Sequence, residues 1–94
     1  EKVKIRWLIN EKQDAPNFAM RRFQVAPGGN TPYHTHPWEH EVYVLEGEAV
    51  AVSKDGETKI GPGSVVLVQP DEQHNFVNKG DTDFVFLCMI PLQK

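Results

Sequence analysis

The sequence predicts an all-β fold, a small sandwich or barrel of about eight strands. Short runs rich in β-branched and aromatic residues dominate the 94-residue chain. Turn residues separate these runs at intervals of about 8–12 positions, which is the spacing of all-β domains. No segment repeats apolar residues at helical spacing over ten or more positions, and no fixed internal repeat indicates a solenoid.

The predicted strands follow from local patterns along the chain. Residues 3–9 alternate apolar and mainly polar side chains, as a half-buried strand does. A polar loop with a proline follows over 10–17, and a second strand over 18–26 ends at a turn of proline and glycines. The Asp55-Gly56 pair favours a two-residue type I′ hairpin turn. The remaining strands are expected at 40–45, 48–53, 65–68, 74–78 and 84–90, with one more after that hairpin.

Length and composition suit a single domain over residues 1–94. Hydrophobic residues make up 39% of the chain, and Cys88 is the only cysteine, so an internal disulfide is excluded. A domain this small has a thin core, and a metal ion or a partner subunit is the expected support. One cysteine fits a reducing compartment, so we expect a cytoplasmic location. The chain begins at Glu1 rather than Met, and we expect that a segment upstream of Glu1 is missing from this sequence.

Charge and hydropathy limit the partners. The formal net charge is −3, and acidic and basic residues are interspersed without a basic stripe. We therefore expect no binding to nucleic acid. No apolar run approaches the ~20 residues of a membrane span, so no membrane association is expected.

The last predicted strand, residues 84–90, is apolar on both faces. A small barrel has one interior, so something must cover the other face. We expect a homodimer, in which a second copy covers it; a cover made by the termini of the same chain is the alternative. The sequence alone does not choose which face, that of Phe84, Phe86 and Cys88 or that of Val85 and Leu87, is inside.

Three of the four histidines lie within seven positions: His34, His36 and His40. In a strand, residues i and i+2 share a face, so His34 and His36 would project together. An antiparallel return would bring His40 opposite His36, and the barrel would have to carry the distant His74 to them. Taken singly, each histidine is most simply a surface or core residue. Packing has no use for several crowded imidazoles, whereas a shared metal ion explains them.

The glycines and histidines also carry a family resemblance. The pattern Gly28-x5-His34-x-His36-x3-His40-x6-Gly47 resembles the first cupin motif. The pattern Gly63-x6-Pro70-x3-His74-x3-Asn78 resembles the second. The resemblance implies a double-stranded β-helix (jelly-roll) barrel that holds one divalent metal ion per chain with His34, His36, His40 and His74. It leaves the reaction open, because cupins include dioxygenases, decarboxylases, isomerases, storage proteins and sensory domains.

Two positions depart from the usual cupin pattern. His40 stands where most cupins have a glutamate ligand, and Glu72 replaces a glycine in the second motif. Four neutral ligands leave a divalent site at +2 and make its metal a stronger Lewis acid. Glu41, one residue along, would face away from the site because strand side chains alternate.

The chain further resembles a subgroup of small cupins with a four-histidine manganese site, in segments 14–18, 36–41 and 86–91. This resemblance implies manganese as the metal. Imidazole ligands also suit Fe, Cu, Ni and Zn. Four protein ligands on a metal that accepts six would leave positions open for chemistry.

The expected substrate pocket consists of Trp38, Phe76, Phe86 and Cys88. Phe76 shares the face of His74, and the resemblance places the cysteine face of the last strand inside. Trp38 would form the rim of the mouth, or else pack against a neighbouring strand or subunit. Cys88 would be a core residue or, near a metal, a reactive thiol.

Apolar walls and a metal predict a small apolar or aromatic substrate. The function expected first is a metal-dependent oxygenase of the type that cleaves carbon–carbon double bonds. A sensory module that binds a metal or small ligand, and a Lewis-acid isomerase or decarboxylase, are the alternatives.

Overall fold

The computed structural model describes residues 2–93, which form eight strands and one single-turn 3₁₀ helix, Glu11–Gln13. The strands are β1 Val3–Ile9, β2 Phe18–Val25, β3 His40–Glu46, β4 Ala49–Ser53, β5 Gly56–Ile60, β6 Val65–Val68, β7 His74–Val77 and β8 Phe84–Pro91. In this part of the chain no helix has the length and apolar character needed to cross a membrane.

The strands form two antiparallel sheets. One sheet has the order β1-β2-β8-β3-β6 and the other has the order β5-β4-β7. Consecutive strands β2 and β3 are therefore separated by β8, from the other end of the chain. This crossover is the jelly-roll arrangement, so the predicted fold class is confirmed.

The core lies between the inner faces of the two sheets. β8 supplies Phe84, Phe86, Cys88 and Ile90 to it, and each is at most 5% exposed. The cysteine face of the last strand is therefore inside; on the other face Leu87 and Met89 are half-buried, whereas Val85 is buried as well. The ring of Phe23 on β2 stacks on Phe86 with centroids 4.8 Å apart.

Three local features differ from the prediction. β1 was expected to be half-buried, but Ile5 and Trp7 are 51% and 53% exposed, because β1 is an edge strand of the larger sheet. The loop after it contains the 3₁₀ turn, which Asn10 caps through its side chain. Ser53 pairs with Gly56, so the two hairpin residues are Lys54 and Asp55. A type I′ turn needs positive φ at both hairpin residues, but neither Lys54 nor Asp55 has it. The next residue, Gly56, is the one with positive φ.

The ends of the two histidine motifs are joined by Asn78, whose side chain is 1% exposed. Its amide nitrogen donates to the carbonyl oxygens of Val25 and Thr82, at 2.9 and 2.8 Å. Its backbone N–H donates to the carbonyl of Gly29, and its own carbonyl accepts from the N–H of Gly28. These bonds fix the segment that leads to His34 against the end of β7, which begins at His74.

Candidate functional site

The four histidines come from three places in the fold. His40 begins β3 and His74 begins β7, while His34 and His36 lie in an irregular segment between β2 and β3. That segment is not the expected strand, but His34 and His36 do project together as predicted. His34 instead forms an isolated antiparallel bridge with His74, through N–H···O bonds of 3.3 and 3.2 Å in both directions. The bridge brings the two motifs together.

The four imidazole rings form one cluster at the mouth of the barrel. Ring centroids are 4.3 Å apart for His34 and His36, and 5.2 Å apart for His36 and His40. The distances from His74 to His34 and to His40 are 5.4 and 5.1 Å. Glu41, the next residue on β3, is exposed on the opposite face. The cluster therefore contains imidazoles and no carboxylate from that strand.

The nitrogen atoms of the cluster have features that fit a metal ion. His40 Nδ1 is buried and has no hydrogen-bond partner in residues 2–93. His74 Nδ1 lies 3.1 Å from the carbonyl oxygen of Glu72, so a proton on Nδ1 leaves Nε2 to act as a ligand. However, no three His, Cys, Asp or Glu side chains of the described chain are arranged to hold a metal ion as they stand. The residue types fit a metal; the closed coordination geometry is absent.

The electrostatic environment favours the neutral form of His34, His36 and His40. Desolvation, followed by the charge of His74, lowers the pKa of His40 from 6.5 to about 4. Desolvation is also the largest cause that lowers the pKa of His34 and that of His36. The neutral imidazole is the form that binds a metal.

A cavity of about 170 Å³ opens beside the cluster. All four histidines line it. Three aromatic residues of the core and one cysteine complete this part of the wall: Phe23, Phe76, Phe86 and Cys88. Phe76, Phe86 and Cys88 thus lie where the sequence analysis expected pocket residues. A larger cavity of about 580 Å³ is remote from the histidines, between Glu48, Lys59 and Gly80.

Trp38 is not among the residues that line the histidine cavity. Its ring stacks on that of His36, with centroids 4.7 Å apart and planes 11° from parallel. Trp38 therefore packs behind His36 and against the core. Its place at the rim of the mouth stays a prediction.

Several wall residues were not predicted from the sequence, and Arg21 is the most important. It lines the cavity with Ile5, Thr31, Pro32 and Val42. Its terminal nitrogen Nη2 lies 3.1 Å from Cys88 Sγ. The signal was present in β2, where Ala19, Arg21, Phe23 and Val25 share one face: a cation on an apolar face is a functional candidate.

Comparison with known proteins places this geometry in a family. The Cupin domain family matches residues 21–90. The oxalate-binding protein of Thermotoga maritima is 35% identical over 72 residues, which are 76% of this chain and 60% of that protein. The 1-methylthio-D-xylulose 5-phosphate methylsulfurylase of Rhodospirillum rubrum is 28% identical over 75 residues, 80% of this chain and 48% of that protein. The chain thus spans about half the length of these curated relatives.

Solved structures show the same fold. The polyketide cyclase RemF from Streptomyces resistomycificus superposes with a TM-score of 0.93 at 36% identity, covering 99% of this chain and 67% of that one. A cupin 2 domain-containing protein from Halorhodospira halophila gives 0.91 at 30% identity, covering 97% and 65%. The family match, the jelly-roll topology and the two histidine motifs lead to one conclusion: this chain belongs to the cupin family.

Proposed function

We propose that His34, His36, His40 and His74 bind one divalent transition metal ion, and that the adjoining cavity binds a small substrate. The observation that carries this proposal is the position of all four imidazoles on the wall of one apolar cavity. Binding would have to draw the ring nitrogens together, because no three side chains of residues 2–93 stand in a coordinating arrangement. Manganese is the metal that the family resemblance favours, and Fe, Cu, Ni and Zn are also compatible with imidazole ligands.

A bound metal would supply a Lewis acid and, for manganese, iron or copper, a redox centre. The chain's own residues would do the rest. The His74 Nδ1–H donates to the Glu72 carbonyl and so fixes the orientation of that ring. Stacking on Trp38 holds the His36 ring. Phe23, Phe76 and Phe86 present an apolar wall that excludes water and binds apolar parts of a substrate, at about 25 cal/mol per Å² buried.

The reaction proposed first is metal-dependent oxidative cleavage of a carbon–carbon double bond. An alkene and dioxygen together contain the atoms of two carbonyl products, so no other reactant is needed. The cavity wall supports this reaction because it contains no Asp or Glu to act as a carboxylate acid or base.

A second candidate is a Lewis-acid reaction without an oxidant, such as an isomerisation, decarboxylation or ring closure. It is favoured by the 36% identity to a polyketide cyclase over nearly the whole chain. In this reaction the metal would polarise a carbonyl oxygen of the substrate.

Metal analysis and dioxygen uptake test these proposals. We expect about one metal ion per chain, and a strong loss of metal in His74→Ala. His40→Glu, which restores the commoner cupin ligand, is the matched control and should retain metal, because a carboxylate replaces the lost imidazole. Full metal content in His74→Ala would contradict the site.

The reaction classes are then separated with manganese, iron and copper forms and a styrene-like alkene. Alkene-dependent dioxygen uptake with two carbonyl products supports the oxygenase. Isomerised, decarboxylated or cyclised product from a carbonyl substrate, without dioxygen uptake, supports the second candidate. Metal binding with no turnover above free metal would leave the non-catalytic sensory module.

We also propose that the chain forms a homodimer through the outer face of its larger sheet. Tyr43 and Leu45 on β3 and Val65 and Leu67 on β6 are 38–75% exposed there. Residues 2–93 leave these four side chains exposed, although they bury Val85 on the same face of the last strand. A cytoplasmic location remains our proposal from the single cysteine, and cell fractionation would test it.

A further inference from the structure

Arg21 is a cation without a counter-charge on the wall of the histidine cavity. The strand β2 carries it on the same face as Phe23, and the register places it opposite Cys88 of β8 and Trp7 of β1. The single ion pair among residues 2–93 joins Lys79 to Glu57, on the surface. None of the residues that line the cavity is Asp or Glu. Nothing in the described chain neutralises this guanidinium.

The contacts of Arg21 fix its position but leave its charge and one of its N–H donors without a partner. Its Nη2 donates to Cys88 Sγ at 3.1 Å. Its guanidinium carbon lies 4.8 Å from the ring centroid of Phe23 and 5.5 Å from that of Trp7, within cation–π range. Its Nε is buried and has no hydrogen-bond partner in residues 2–93. A guanidinium cannot lose its proton at ordinary pH, so the charge and the free donor both remain.

Cys88 does not supply the missing negative charge. Burial raises the pKa of the Cys88 thiol, which outweighs the opposing effect of Arg21, so the neutral thiol faces the guanidinium at neutral pH. A thiol sulfur is a weak acceptor. The pocket is therefore positively charged before any metal is added, and a divalent ion on neutral imidazoles would make it more so.

We propose that Arg21 is a specificity-determining residue that binds the carboxylate of the substrate. A carboxylate satisfies a half-buried cation and its free N–H donors in a charge-assisted, fork-like pair. A neutral ligand would leave the charge uncompensated in a site partly shielded from water. This proposal deepens the proposed function, because it rests on the histidine cavity being the substrate site.

The size and walls of the cavity define the rest of the ligand. Its volume of about 170 Å³ is close to the roughly 150 Å³ that accepts a benzene ring. Phe23 and Phe86, stacked 4.8 Å apart, provide an apolar wall beside Arg21. The substrate class is thus a carboxylic acid with one aromatic ring or an apolar group of similar size, whose carboxylate lies at Arg21.

Binding of benzoate to the metal-free protein tests this assignment. Benzamide, which has the same shape and no charge, is the neutral probe. We expect benzoate to bind and Arg21→Met to weaken it by about tenfold or more, as the loss of a charge-assisted pair implies. Arg21→Lys keeps the charge without the fork and should bind with intermediate affinity. Benzamide should bind weakly and equally to all of these proteins.

Arg22→Met is the matched control. Arg22 is the next residue on β2, faces away from the cavity and contacts Gln24, so its loss should leave benzoate affinity unchanged. Calorimetric titration gives the affinities. Thermal melting separates a binding role of Arg21 from a structural role. Because the charge of Arg21 is unpaired, Arg21→Met should not lower the Tm. A lower Tm for Arg21→Met with unchanged benzoate affinity would mean a structural role.

The assignment is overturned if the wild-type protein does not bind benzoate, or if Arg21→Met binds it as well as wild type. Titration with manganese is run in parallel. The histidines, not Arg21, carry the proposed metal site, so Arg21→Met should keep its metal content. In the wild-type protein, metal binding without benzoate binding would refute only the carboxylate subsite, whereas benzoate binding without metal binding would refute only the metal site.

Discussion

The burial of His40 sets the response of the metal-free protein to acid. Its side chain is 6% exposed, and desolvation is the main reason that its pKa falls to about 4. The pKa values of His34 and His36 are lowered in the same direction. In the unfolded chain each ring returns to a pKa of about 6.5. Between these two values the unfolded state binds more protons than the folded state.

We therefore predict that the free energy of unfolding of the metal-free protein rises with pH between about 4 and 6.5. Each such histidine contributes at most about 1.4 kcal/mol per pH unit in that window. The stability is fully present above pH 6.5 and is lost as pH falls toward the pKa of His40. Urea unfolding in the presence of a chelator, at several pH values, measures the slope. His40→Gln should make the slope shallower; an unchanged slope would show that His40 does not titrate as described.

Single residues also show what the sequence could and could not predict about the site. The spacing of His34, His36 and His40 with the second motif was enough to expect His74 beside them, and the rings do cluster. The sequence analysis did not single out Arg21, because apolar content locates a strand but does not show which of its polar side chains faces inward. Its neighbours Ala19 and Phe23 at i−2 and i+2 placed it on the inner face.

At the level of the strands, the prediction worked where local pattern and tertiary environment agree. The predicted β8 matches the observed Phe84–Pro91 within one residue, since a run of apolar residues in the centre of a sheet has one favourable conformation. The β1 prediction located the strand, but its burial was wrong, because alternation does not show whether a second sheet covers the strand. The bridge of His34 to His74 depends on long-range pairing, which spacing alone does not encode.

The turn between β3 and β4 depends on Gly47, the last residue of the first motif. Gly47 has φ +78°, and a Cβ there would overlap the carbonyl oxygen of Asp83, just before β8. Gly47→Ala should therefore lower the free energy of unfolding by about 2 kcal/mol or more, from left-handed strain and the backbone clash together.

Gly61→Ala is the control for this prediction. Its φ is not positive, and the nearest atom to a new Cβ would be Glu48 Cγ at 3.6 Å, an ordinary contact. The change should stay within about 0.5 kcal/mol of wild type in urea unfolding. Equal stability of the two variants would contradict the close approach of the β3–β4 turn to β8.

The two faces of the larger sheet differ in what covers them in the whole molecule. The inner face packs on the core and the histidine cavity. The outer face carries a contiguous apolar patch of Tyr43, Leu45, Val65, Leu67 and Leu87, in which Tyr43 pairs with both Val65 and Leu87. Val65 is 75% exposed at the edge of the sheet. A patch of this kind on a thin-cored domain is expected to bind a second copy across a two-fold axis.

The dimer prediction is tested with Leu67→Lys. Leu67 lies opposite Glu41 in the register of β3 and β6, so a lysine there meets a carboxylate and the folded monomer should persist. In a two-fold interface the same charge would be buried twice, which should shift the protein toward the monomer mass of 10.7 kDa. Light scattering after size exclusion gives the mass, and Thr58→Lys on the exposed β5 strand should leave the dimer intact. A wild-type protein that is monomeric at micromolar concentration would contradict the dimer.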